Sequence, residues 1–296
     1  MKVLVTGAAG FIGAHVIRQL IAGGHDAVAA VRPGSAAPRL ADVRARCSLV
    51  ELDVADAARV AGVLREHRPD AVIHLAWYAE PGRYRHALAE NVDSLRATAG
   101  LLLAAAEAGC PRVVLGGSCV EHAVGGAGPI YDAAKAAAHR LGEGFSAAGL
   151  RVACGHVFYL YGPWEDRRRV LSSVIRSLLA NQPIATTTGE QTRDYLHVAD
   201  VAAGFIALAG SEATGGVDIC SGSLVTLADV LRIIGEQMGR PALVRLGERG
   251  SADDDGYQLA GDPRALIATG WRPQFDIRSG ITDTIAWWTG QQEALA

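Results

Sequence analysis

Val3-Leu4-Val5-Thr6-Gly7-Ala8-Ala9-Gly10-Phe11-Ile12-Gly13 opens the chain with an apolar run, a glycine-spaced turn and the start of an amphipathic segment. The order reads as strand, turn and helix. Gly7 permits the tight turn, Gly10 lets backbone come close to a pyrophosphate, and Gly13 lets the helix pack closely on the strand. The first-turn N–H groups and the helix dipole then face the anion.

The same alternation continues outward from that stretch. Strands are expected at 2–6, 26–31, 48–52, 71–75, 112–116 and 151–157, with helices near 14–22, 57–67, 86–108 and 132–147. Strands that are apolar throughout and alternate with helices form a parallel sheet covered on both faces. Right-handed crossovers make it a doubly wound α/β sheet of the Rossmann kind. Beyond about residue 160 the pattern loosens, with helices near 171–180, 198–209 and 227–238 between turns rich in Gly, Pro and Thr. Residues 1–160 are read as a dinucleotide-binding domain to which a later segment, about 190–215, returns. Residues 161–296 are read mainly as a smaller, interleaved substrate-binding lobe, with Asp253-Asp254-Asp255 in a solvated loop rather than a metal cluster.

A chain of 296 residues, half of them apolar, can bury a large core, and a net charge of −3 does not recommend nucleic acid or an anionic membrane as partner. The five cysteines (Cys47, Cys110, Cys119, Cys154, Cys220) are scattered and include no C-x-x-C pair. Reduced thiols fit that pattern better than disulfides or a metal site, so no metal is expected. The apolar start breaks at Thr6-Gly7, too short for a secretion signal, and no apolar run reaches membrane-spanning length. A cytoplasmic, soluble protein is expected.

The end of the second strand selects the dinucleotide. A carboxylate there would accept from the ribose hydroxyls of NAD, whereas a cation would pair with a 2′-phosphate. Arg32 stands at that position, with Ser35 beside it, so NADP(H) is favoured over NAD(H); the competing role for Arg32 is a solvated loop arginine. Asp53, closing the third strand, is placed for the adenine amino group or for a helix N-cap. Further on, Tyr131-Asp132-Ala133-Ala134-Lys135 puts a phenol and an ammonium on one helix face, downstream of Ser118. A nearby cation would lower the phenol's pKa and make Tyr131 a proton donor or acceptor near neutral pH.

With these pieces in place, the chain resembles the extended short-chain dehydrogenase/reductases that act on nucleotide sugars. The likeness runs through Thr6–Gly13, His74-Leu75-Ala76, Asn91-Val92, Ser118, Tyr131/Lys135 and Tyr161-Gly162-Pro163. It continues through Arg193-Asp194-Tyr195-Leu196-His197-Val198-Ala199-Asp200-Val201-Ala202, then 216–222 and Gly270-Trp271-Arg272-Pro273. The resemblance implies hydride transfer between a nicotinamide and a sugar carbon, usually C4. Tyr131 would move the proton, Lys135 would tune Tyr131 and hold the nicotinamide ribose, and Ser118 would bond the reacting oxygen. It also implies that Phe11, Ile12, Val54, Leu75, Ala76, Trp77, Asn91 and Phe158 contribute to the cofactor site. Trp77, Ser118, Tyr159, Arg193 and Arg249 are implied on the substrate side. Trp77 and Tyr78 could equally fill core, and Arg193 and Arg249 could be solvated or ion-paired. Tyr159 replaces the family's usual asparagine. A homodimer through the helices that carry Asn91 and Tyr131 is a further implication.

Three departures narrow the reaction. Cys119-Val120 follows Ser118 where the family's 4,6-dehydratases carry Asp-Glu. Trp164 follows Tyr161-Gly162-Pro163 where the epimerising reductases carry histidine, so Cys119 lacks its partner. Arg32 argues against a permanently bound NAD. What remains is an NADPH-dependent 4-ketoreductase for a dTDP- or other nucleoside-diphosphate 4-keto-6-deoxysugar. The alternatives are an NAD-retaining nucleotide-sugar 4-epimerase and, from another class, a non-catalytic NADP(H)-binding sensor. The short Ser118–Tyr131 interval predicts a more open site.

Overall fold

The computed structural model describes residues 1–123, 128–250 and 260–293, so Asp253-Asp254-Asp255 lies outside the described residues. In chain order the elements begin β1 (Lys2–Thr6), α1 (Phe11–Ala22), β2 (Asp26–Val31), β3 (Ser48–Glu51), α2 (Ala57–His67) and β4 (Ala71–His74). They continue with α3 (Leu88–Glu107), β5 (Arg112–Ser118), α4 (Ile130–Ala147), β6 (Arg151–Val157), β7 (Tyr159–Tyr161) and α5 (Val170–Leu179). Next come β8 (Ile184–Ala185), β9 (Thr192–His197), α6 (Val198–Ala209), β10 (Gly215–Ile219), β11 (Leu224–Thr226) and α7 (Leu227–Gln237). The last are β12 (Val244–Arg245), α8 (Arg264–Ile267) and α9 (Ile277–Glu293). Two compact units result, the first made of Met1–Val157, Val201–Ile219 and Pro263–Arg272 and the second of the rest.

The first unit is a seven-stranded sheet in the order β10-β6-β5-β4-β1-β2-β3, parallel at every pairing. This is the doubly wound α/β fold that the alternation of apolar strands and helices predicts. Its central strands are buried on both faces, as β1 and β4 illustrate, and Leu4, Val28, Val72 and Val113 meet Leu101 and Leu102 of α3 in one core cluster. The chain runs outward from β1 to β3, then returns to β4 on the other side of β1. That reversal is the crevice where open α/β sheets bind ligands, at the carboxyl ends of the strands. β5 continues two residues past the expected end, because Gly117 and Ser118 pair with His156 and Val157. Residues 216–219 of the 216–222 stretch lie in β10, which pairs with β6 at the sheet edge.

The second unit combines a three-stranded sheet, β11-β9-β7, with the β8/β12 pair and three helices. Leu171, Val174, Ile175 and Leu178 of α5 repeat at helical spacing and pack in one core with Leu227, Val230, Leu231 and Ile234 of α7 and Ile281 of α9. α9 is a helix that periodicity does not announce, since Gly280, Gly290 and several threonines weaken its intrinsic preference. Packing overrides propensity there: a Cβ at Gly280 would stand 2.2 Å from the Tyr161 hydroxyl, so only glycine lets α9 close on β7. Among the described residues, no helix is long and apolar enough to cross a membrane, and the five cysteines form no disulfide.

Candidate active site

The glycine turn leaves β1 at the reversal in strand order. Gly7 has φ +68, and a Cβ on it would meet Ala76 N at 2.8 Å, so the turn lies directly against the backbone after β4. A Cβ on Gly13 would come within 2.2 Å of Gly7 O. Gly10 is the N-cap of α1, in extended conformation, and no side chain caps the helix. The first turn of α1 therefore presents uncapped backbone at a site kept clear of side chains by glycine, which fits a pyrophosphate. Phe11 and Ile12 are half-buried at that first turn. Leu75 N donates to Thr6 O at 3.2 Å and Ala76 N to Thr6 Oγ1 at 3.4 Å, holding the floor in place. Behind them His74 is buried between Thr6 Oγ1 (2.7 Å) and Thr98 Oγ1 (3.1 Å). Burial, and secondarily the Lys135 charge, pushes its pKa down to about 3, so His74 is a neutral strut.

At the end of β2, Arg32 is exposed in a turn closed by Ser35 N to Arg32 O at 3.0 Å. Ser35 Oγ accepts from Ala37 N at 3.3 Å, and Asp53 Oδ1 accepts from Ala55 N at 3.0 Å. The N-cap of α2 is Asp56, so that competing role does not fall to Asp53; Val54 is half-buried beside it. Two charges near this end escape sequence reasoning. Arg39 reaches Ala9 O in the glycine turn at 3.4 Å, and Glu51 accepts from Gly34 N at 3.1 Å. Neither has a motif to mark it; only the turn's path brings them in.

Ser118, Tyr131 and Lys135 are brought together. Ser118 is the last residue of β5 and stands beside the Tyr131 phenol, whose pKa it lowers. Lys135 is buried on α4, donates to Gly116 O at 2.6 Å and lies 3.8 Å from the Trp77 ring centroid. Its ammonium is 5.8 Å from the Tyr131 ring centroid. The expected acidification of Tyr131 is corrected here. Burial raises the phenol's pKa, Ser118 lowers it less, and Lys135 is turned toward Gly116 and Trp77. Burial also lowers the Lys135 pKa, to about 8.

The segment after β4 covers the phenol. Tyr84 meets Tyr131 edge-on at 4.8 Å, Trp77 does so at 6.4 Å, and Tyr131 N donates to Arg85 O at 3.2 Å. This segment packs over Tyr131; residues 124–127 of the short Ser118–Tyr131 interval lie outside the described residues. Asn91 organises the cover: its Nδ2 donates to Tyr84 O (2.6 Å) and Ala87 O (2.8 Å), and its Oδ1 accepts from Trp77 Nε1 at 2.9 Å. Asn91 is fully buried, with its side-chain amide taken up by these three bonds.

The remaining candidates belong to the second unit. Arg193 is buried, donates to Thr192 O at 2.8 Å and places its guanidinium 4.9 Å from the Tyr159 ring centroid. Phe158 is buried, and a Cβ on Gly261 would meet both Phe158 and Cys220 Sγ. Arg249 is exposed, with its N–H on Thr186 O at 3.0 Å. The acids of the Arg193–Ala202 block have architectural work. Asp194 accepts from Ser221 N (2.8 Å), Ser221 Oγ (2.6 Å), Gly222 N (2.9 Å) and Gly261 N (3.2 Å). Asp200 accepts from Gln274 N (2.8 Å) and Phe275 N (3.1 Å).

Residues 3–219 match the NAD dependent epimerase/dehydratase family, and the chain belongs to it. It is 24% identical to UDP-glucuronic acid decarboxylase 1 of Arabidopsis thaliana, over 95% of this chain but 68% of that one. It is 27% identical to the dTDP-4-dehydro-6-deoxy-D-allose reductase of Streptomyces bikiniensis, over 96% of this chain and 95% of that one. The UDP-glucose 4-epimerase of Thermus thermophilus, solved in complex with NAD, superposes with a TM-score of 0.84 at 25% identity, covering 98% of this chain and 99% of that one.

Proposed function

We propose that the protein reduces a nucleoside-diphosphate 4-keto-6-deoxysugar at C4, using NADPH. The observation that carries this reading is the Tyr131 phenol set beside Ser118 at the end of β5, with Lys135 one turn along α4 and burial disfavouring the phenolate. The protonated phenol is the form that gives a proton to a carbonyl oxygen, whereas starting from an alcohol needs the phenolate. The bound dinucleotide would supply the hydride. Ser118 would hold the ketone oxygen, and Lys135, freed from Gly116 O, would take the ribose hydroxyls. Uncapped first-turn amides of α1 would hold the pyrophosphate. Arg32, with Arg39 near the turn, would favour the extra phosphate of NADPH.

Dehydration is disfavoured by the one acid that follows Ser118 closely. Glu121 is turned inward, accepting from Ser118 N at 2.7 Å and facing His139 and His156 at 3.0 and 3.2 Å. Those partners outweigh burial and hold its carboxyl down, near about 2, so it offers no acid to a leaving hydroxyl. The Streptomyces bikiniensis reductase supports the choice of reaction. On the substrate side, Arg193 and Arg249 are assigned to the diphosphate and Tyr159 to the nucleotide sugar. A homodimer through α3 and α4 belongs to the same proposal, supported by the exposed Leu103 and Leu141 on those helices.

A second reading, a 4-epimerase that retains NAD, is favoured by the NAD bound to the Thermus thermophilus relative and by the Glu51 carboxylate at the Arg32–Ser35 turn. Incubating the purified protein with a panel of nucleotide 4-ketosugars and following NADPH oxidation tests the first reading. Turnover with net NADPH consumption supports it. Protein that carries NAD through purification and interconverts C4 epimers without net oxidation would replace it with the second.

A further inference from the structure

Beside Ser118, among β5, β6 and α4, lies a cluster that the reductase chemistry does not use. Glu121, in the turn Cys119–Ala123 after β5, joins His139 of α4 with Cys154 and His156 of β6. Glu121 Oε2, His139 Nδ1 and His156 Nε2 form a triangle with sides of 3.0, 3.2 and 3.3 Å. Either both rings donate to one carboxylate oxygen, or one proton is shared between two ring nitrogens 3.3 Å apart. A metal at the centre would serve all three atoms at once: nitrogen and oxygen ligands of tetrahedral zinc stand about 3.3 Å apart when each is about 2.0 Å from the ion. Cys154 Sγ completes a set of four ligand atoms that all lie within 4.8 Å of one another.

Two further features, independent of the triangle, are those of a built metal site. His156 has a carboxylate behind it, Asp218 at 3.1 Å from Nδ1, while the buried His139 Nε2 has no hydrogen-bond partner and Glu143 is 3.6 Å from it. At His156 that arrangement fixes which nitrogen faces the centre and raises its basicity, as outer carboxylates do behind zinc-bound histidine. The two strands flanking β6 also carry glycine where the cluster needs room. A Cβ on Gly117 would strike Cys154 Sγ at 2.6 Å and Glu121 Oε1 at 2.8 Å, and one on Gly216 would strike His156 Cε1 at 2.5 Å. His122, which bonds the same Asp218 oxygen at 2.7 Å and is 39% exposed, opens a way in from solvent.

We propose that Glu121, His139, Cys154 and His156 bind one divalent transition metal, zinc by the mixture of thiolate, imidazole and carboxylate donors. On binding, the Cys154 thiol loses its proton to solvent and sulfur bonds the ion. Glu121 then bridges metal and backbone, because its other oxygen already accepts the Ser118 amide at 2.7 Å. The metal braces the strand end that carries Ser118 and takes no part in hydride transfer. The scattered cysteine spacing hides this site, whose ligands come from a turn, a helix and a strand.

The test uses the whole chain, purified without chelator or metal-affinity tag, and does not depend on activity. Elemental analysis should find about one zinc per chain, and stripping with a chelator should lower the melting temperature by several degrees, restored by added zinc. Cobalt loading should give the visible bands of a tetrahedral ion and a near-ultraviolet thiolate band. Cys154→Ser should lose the thiolate band, and His139→Gln should lose most of the metal. Protein that retains less than about a tenth of an equivalent after zinc loading, with an unmoved melting temperature, overturns the proposal. So does zinc held equally well by both variants. Should either variant fail to fold, the cobalt spectrum of the unaltered protein decides: octahedral bands without a thiolate transition reject the site.

Discussion

The glycine turn Thr6–Gly13 and the block Arg193–Ala202 are the two strongest sequence signals in the chain, and the fold uses them in opposite ways. The turn is left uncapped: α1 has no side-chain cap, and added Cβ atoms would strike backbone. In the block the carboxylates are filled, Asp194 accepting four hydrogen bonds and Asp200 two, nearly all from backbone N–H groups. A specific motif thus marks either a place made ready for a ligand or a place where buried amides need acceptors. Satisfied partners, not the strength of the pattern, tell these apart.

Substitutions can break or sharpen that contrast. Tyr131→Phe, beside the ligand-ready region, should lower turnover about 10²–10⁴-fold while dinucleotide affinity and melting temperature hold; steady-state rates with titration calorimetry check both. A variant that keeps full rate removes Tyr131 from the chemistry. Asp194→Ala should show the reverse, a loss of about 3 kcal/mol or more in stability, since it strands four donors. Urea melts measure it, and a stability within about 0.5 kcal/mol of the unaltered chain would make the block's acids dispensable.

Gly13→Ala should weaken dinucleotide binding by tenfold or more, because its Cβ would meet Gly7 O, a backbone atom that cannot swing away. Equilibrium binding reads this out, and unchanged affinity would show that the turn tolerates filling. Arg32→Asp should move the NADPH-to-NADH ratio of kcat/KM by about tenfold toward NADH, while an unchanged ratio points to Arg39 as the reader of the phosphate. The smallest effect is on pH. With Lys135 titrating at about 8, its ammonium is present below that pH and is lost above it. NADPH affinity should therefore be flat to about pH 8 and then fall, and Lys135→Met should remove the inflection. A flat profile in both proteins would separate Lys135 from the cofactor.

The first unit was legible because its central strands are apolar on both faces and most of its crossovers are helical; β1, β2 and β6 fall where the pattern puts them. In the second, α5 and α7 fall where helical spacing puts them, but β7, β8, β11 and β12 have three residues or fewer, too short for alternation to register. At the site, spacing along α4 brought Tyr131 and Lys135 together, but not the direction of the ammonium. That depends on the Trp77 ring and the Gly116 carbonyl, which arrive from other strands. Arg39, Glu51 and the Glu121 cluster stayed hidden for the same reason: their partners are distant in sequence.

Arg112, the first residue of β5, is 2% exposed, and its Nε and Nη2 reach Leu208 O at the end of α6 at 3.2 and 2.8 Å. Its partner is thus translated nearly a hundred residues later. A nascent chain emerging from the ribosome with only the first 157 residues would hold a guanidinium without its acceptor and a β6 border awaiting β10. The sheet can be sealed only after residue 219 has left the exit tunnel, so chaperones would meet an unfinished N-terminal half throughout synthesis of the second unit's first segment.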